Sequence, residues 1–215
     1  MVAVEGEEVM REYISRHIVA IEWGLGALAL IVPSITWLGR TELDDLTLYD
    51  IFPPLGLMAF GLMWTHFVMG ALRRYAGVSA SSHRLYMPVS MGLVLALIVL
   101  HPGLLWLALY LDGFGLPPQS YMQVYSGQLG LIALGMTALL IFLAYELKRF
   151  FGDRSWWKYV SGAQIVGMLA IFVHAIGLGN ELRTDWFFVV WIGLGVTLVV
   201  SFLYSRMHTN TKGKG

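Results

Sequence analysis

Six stretches of this 215-residue chain are long and almost free of charge, and a helix that crosses a bilayer needs about 20 such residues. They run from Ile18 to Leu38, Ile51 to Leu72, Leu85 to Leu111, Tyr121 to Tyr145, Tyr159 to Asn180 and Trp186 to Tyr204. Only the first holds an acid, Glu22. Backbone polar groups in hydrocarbon have to be satisfied within a helix or a closed barrel, and none of these runs alternates as barrel strands do. The sequence therefore predicts an all-α integral membrane protein, a bundle of six transmembrane helices with the lipid bilayer as its first partner. Composition excludes the alternative. With 57% hydrophobic and 13% charged residues, the chain is far from the roughly 25% charged of a water-soluble globule.

Charge placement orients the bundle. Twelve Lys and Arg fall at the N-terminus, the second and fourth loops and the C-terminus, while the opposite side has only Arg40 and Arg183. The positive-inside rule then puts both termini in the cytoplasm. Residues 1–17 read as a cytoplasmic N-terminal segment, 18–205 as the transmembrane domain and 206–215 as a cytoplasmic tail, giving a multi-pass protein of the cell membrane. Acids ahead of the first span are unlike the basic leader of a cleaved signal, so the first helix is expected to stay. Fourteen acids balance fourteen Lys and Arg, which leaves no global field for nucleic acid. Without cysteine, the chain has no thiolate to hold zinc or an iron–sulfur cluster, and histidine becomes the leading metal ligand.

Of the six histidines, His17, His83 and His208 lie at or beyond span ends and read as solvated side chains. His66, His101 and His174 are embedded in hydrocarbon-length sequence, where an ionisable group is a functional candidate by default. His101 is 17 residues beyond Arg84 and His174 is 16 beyond Lys158. At 1.5 Å per residue, both stand roughly 25 Å above the cytoplasmic boundary. Their helices rise in the same direction, so two imidazoles can face each other at one height toward the outer leaflet. That geometry suits two axial ligands of one heme. It also suits two histidines that each hydrogen-bond a neighbouring helix and nothing more. Ala163, Gly167, Ala170, His174 and Gly177 put small residues on one stripe with the histidine, as close approach to a heme or ordinary helix packing requires. His66, seven residues before Arg73, lies too far below to share that iron. Hydrogen bonding between helices is one role for it; with Glu22 and Gln164, a quinone or outer-shell contact on the cytoplasmic side is another. For Glu22 and Glu146, pairing with a nearby Arg is the plainer reading.

Thr65-His66-Phe67-Val68-Met69-Gly70-Ala71-Leu72-Arg73-Arg74-Tyr75 closes the second span, and His83-Arg84-Leu85 opens the third, with His101 near its far end. Trp156-Trp157-Lys158-Tyr159 leads into the fifth, which ends with His174. Over its second to sixth spans the chain resembles the ferric-reductase-like transmembrane superfamily, above all its small heme-binding subunits, such as the membrane partner of periplasmic methionine sulfoxide reductase. The resemblance implies heme b between the third and fifth spans, ligated by His101 and His174. Members with two hemes carry second histidines about thirteen residues away, positions occupied here by Pro88 and Ser161; only the outer pair carries over. It implies a b-type cytochrome subunit that passes electrons from quinol or a partner redox protein to an extracytoplasmic acceptor protein. The eleven residues after Tyr204 leave no room for a flavin or nicotinamide domain. Two other functions compete, a small non-redox transporter or channel and a purely structural membrane subunit. Long spans without paired mid-span breaks disfavour the transporter.

Overall fold

The computed structural model of the chain describes residues 2–79, 85–151, 155, 157–183 and 185–210. His83, Arg84, Trp156, Lys212 and Lys214, invoked above, lie outside the described residues, as does the side chain of Lys158. Among the described residues seven α-helices follow one another: α1 (Val2–Leu38), α2 (Leu48–Ala76), α3 (Tyr86–Leu111), the short α4 (Gln119–Val124), α5 (Leu129–Phe151), α6 (Trp157–Leu178) and α7 (Asp185–Asn210). Six of them are long and apolar enough to cross a membrane, which makes this a multi-pass membrane protein.

Hydrogen bonds at the helix ends fix an up-and-down arrangement. At one end, here the upper, Trp37 Nε1 donates to the Asp50 carbonyl at 2.7 Å and the Tyr49 hydroxyl to Asp112 at 2.7 Å. Pro54 has no N–H to offer the Asp50 carbonyl one turn back, and the indole takes that place. Thr47 and Asp50 cap the start of α2 reciprocally. At the lower end, Arg73 donates to Glu22 at 2.9 Å and Arg74 to Ser205 at 2.9 Å. The Arg11 guanidinium sits over the Tyr75 ring, so α1 begins and α7 finishes at this same end.

The central helix is α2, which packs on α1, α3 and α7 and touches α6, while α5 and α6 pair mainly with each other. Gly61 allows the α1 crossing, because a Cβ there would stand 3.0 Å from that of Ala29. Phe60, Phe172, Phe187 and Trp191 form the aromatic centre between α2, α6 and α7, with Phe60 and Trp191 ring centres 4.4 Å apart. Outward faces carry large apolar side chains such as Leu140, Val189 and Val200, as lipid contact requires. The two hairpins α2–α3 and α5–α6 stand side by side, and a space remains between them.

Helix limits depart from the sequence expectation in three places. First, α1 starts near residue 2 and continues through the polar segment, where Glu7–Arg11 and Glu12–Arg16 pairs one turn apart support the helix. Second, the fourth span does not begin at Tyr121. The chain breaks at Tyr125 and makes a 3-10 turn over Ser126–Gln128 before α5, because Ser and Gly are poor helix formers. Third, α7 runs on to Asn210. Trp157, at the start of α6, is buried.

Candidate functional site

Between the two hairpins lies a cavity of about 420 Å³, within the range of small-molecule sites. His101 enters it from α3 and His174 from α6, with ring centres 6.5 Å apart and ring planes at 81°. The two histidines expected at one level are therefore brought face to face.

Each imidazole is held in the same way. His101 Nδ1 lies 2.7 Å from the Phe52 carbonyl of α2, and His174 Nδ1 lies 2.8 Å from the Leu131 carbonyl of α5. A carbonyl oxygen only accepts, so both Nδ1 atoms carry the proton and both Nε2 atoms keep their lone pair. Four residues after each carbonyl comes a glycine, Gly56 after Phe52 and Gly135 after Leu131. A Cβ at Gly56 would stand 2.8 Å from the His101 ring, and one at Gly135 would stand 2.7 Å from the His174 ring. One device, a carbonyl with a glycine one turn later, thus seats a histidine in both hairpins. Its hydrogen bond fixes the orientation and tautomer of each imidazole.

Neither glycine stood out in the sequence; an isolated glycine within an apolar helix was the available signal. The small stripe on α6 has a different use. Gly167 faces Phe142, and a Cβ on Gly177 would collide with Leu131, so the stripe packs α6 on α5.

The cavity is two-ended. Below the histidines its walls are apolar, with Ala59, Ile98, Leu139 and Phe142. Its upper rim is polar and includes Tyr49, Tyr125, Gln128, Asn180, Glu181 and Arg183. The 3-10 turn Asn180–Arg183 supplies three of these. Glu181 is only 6% exposed, and its Oε2 has no hydrogen-bond partner. Burial pushes the Glu181 carboxyl up, opposed by its own backbone N–H and by Arg40. Trp106 of α3 donates to the hydroxyl of Tyr121 on the short helix, pinning α4 beside the rim. Sequence reasoning missed this rim because its members come from three separated segments.

His66, Glu22 and Gln164 do not share one place. His66 Nε2 is 2.8 Å from Ser90 Oγ, and His66 lines a separate space of about 60 Å³ together with Glu146 and Gln164. That is room for water rather than for a quinone ring. Ile98 and Phe142 divide it from the main cavity, since both line each. Glu22 lies elsewhere, paired with Arg73. Among the described residues, no three His, Asp or Glu cluster as ligands for a metal ion. The site therefore offers two opposed nitrogen donors in a largely apolar slot. No family model, curated protein or solved structure matches this chain.

Proposed function

We propose that the chain is a b-type cytochrome subunit of the cell membrane, holding one heme b between His101 and His174, with both termini cytoplasmic. The observation that carries this is the pair of imidazoles with outward Nδ1 bonds, available Nε2 atoms and ring centres 6.5 Å apart. Two imidazoles on one metal need about 6.2 Å, from bonds of about 2.0 Å and about 1.1 Å from nitrogen to ring centre on each side. Two donors suit a metal that brings its remaining ligands with it, and an apolar slot suits a flat tetrapyrrole. Bound there, heme supplies one-electron exchange at iron. His101 and His174 would hold the iron as its two protein ligands, which would favour electron transfer over oxygen chemistry. The Phe52 and Leu131 carbonyls fix each ring, and the apolar walls exclude water.

This reading keeps the resemblance to the ferric-reductase-like superfamily and its implied partners, quinol or a redox protein as donor and an extracytoplasmic redox protein as acceptor. The electron paramagnetic resonance spectrum of the purified oxidised protein tests it. Imidazole planes near 81° predict a strongly anisotropic low-spin ferric signal. A high-spin signal alone, or no heme signal, rejects the ligand pair.

Two variants probe the seating. Replacing Gly135 by Ala forces the His174 ring from its carbonyl, and heme affinity should fall about tenfold to a hundredfold, as losses of such orienting bonds do; Gly56→Ala should act likewise on His101. Heme titration measures this, and unchanged affinity in both variants contradicts the seating device. Replacing His66 by Ala, across the Ile98 and Phe142 partition, should leave heme content and the low-spin spectrum as in the parent. Loss of heme from a folded His66 variant would require another ligand set.

A further inference from the structure

The cavity has a direction that two histidines alone do not give it. Its lower end is closed by Ile98, Leu139 and Phe142, while its upper rim carries Arg183, the one Lys or Arg among its described lining residues. Arg183 and Arg40 are also the only two Lys or Arg on the upper side of the sequence, and the fold brings both to Glu181, Arg183 two residues away on the same turn and Arg40 through its charge. Glu181 itself is buried beside the cavity with Oε2 unpartnered, a costly arrangement unless a ligand completes it.

Heme b is an amphiphile, with two carboxylates on one edge and only methyl and vinyl groups on the opposite edge. Resting on the heme reading above, we propose that the upper rim is the seat of those two carboxylates, Arg183 supplying the charge-assisted contact and Glu181 the hydrogen-bonding partner, with the apolar edge directed at Phe142. Glu181 and a heme carboxylate can meet only by sharing one proton, and Arg183 on the same turn supplies the opposing positive charge. The planar guanidinium matches a carboxylate in two places at once. The reverse orientation buries both carboxylates against Leu139 and Phe142, which offer no donor to replace the water they lose.

The test compares hemin with its dimethyl ester, which has the same ring and iron but no charged edge. Heme-depleted protein in detergent is titrated with each, and the parent should bind hemin at least about tenfold more tightly, the usual worth of a charged hydrogen bond. In Arg183→Gln that preference should collapse toward unity while both ligands still give a low-spin spectrum; Arg183→Lys should keep part of it. Equal affinities in the parent, or an undiminished preference in a folded Arg183→Gln protein, overturn the proposal and leave the histidine assignment standing. Should Arg183→Gln not fold, the parent comparison alone decides. A parent that forms no low-spin complex with either ligand overturns both readings together.

Discussion

Replacing either His101 or His174 by alanine is expected to give a protein that still enters the membrane but holds little or no heme. Each imidazole is one of two donors, and its partner donor sits on the opposite hairpin, so losing one leaves a single axial bond to hold the group. The fold should tolerate the change, because each side chain ties only to one carbonyl of a helix that already packs against its own. Any heme retained has an open axial position and should become high-spin and bind carbon monoxide. The same change at His208, on the lower end of α7, should alter neither heme content nor spectrum. A low-spin spectrum unchanged in both single variants rejects the pair as ligands.

The largest effect on stability should come from the Arg73–Glu22 pair. The two side chains are 5% and 2% exposed, with Arg73 and Glu22 2.9 Å apart across the α1–α2 contact. Replacing Arg73 by Met removes one partner and leaves a carboxylate buried among helices. Breaking a buried pair in this way costs about 3–5 kcal/mol. Replacing Glu22 by Leu in the same chain removes that buried charge, and the double variant should recover most of the loss. Thermal unfolding in detergent distinguishes the two, and a double variant no more stable than Arg73→Met would show that the charge pair is not the cause. Heme content at constant fold should be unaffected, because Glu22 and Arg73 do not line the cavity.

How much was legible follows from what each feature depends on. Span number depends on length and apolarity, and those are local properties of the chain; the six runs became six spanning helices. The meeting of His101 and His174 was readable because helical rise is constant, so residue counts convert to depth. The break at Tyr125 was hidden because Tyr121 to Tyr145 is uncharged throughout, and charge is what marks a span end. Gly56 and Gly135 acquire meaning only when a histidine from the next helix lies across them. For Glu22 the sequence allows a place beside His66 and Gln164 or, more plainly, a pairing with a nearby Arg, and the rotation of α1 about its axis turns it to Arg73. Depth alone carries no information about that rotation. Arg183 counts in the sequence only as one of two cations on the outer side, and it is the fold that lays it with Glu181 along the cavity rim.

The central claim is one heme b per chain held by two histidines. It is met most directly by a reduced-minus-oxidised difference spectrum of the purified protein, from cells given ample heme precursor, with heme counted per polypeptide. The account predicts one low-spin heme b for each chain, its reduced spectrum indifferent to carbon monoxide. Protein that is folded, monodisperse and free of heme absorption would contradict it, and two hemes per chain would mean that ligands other than His101 and His174 are at work.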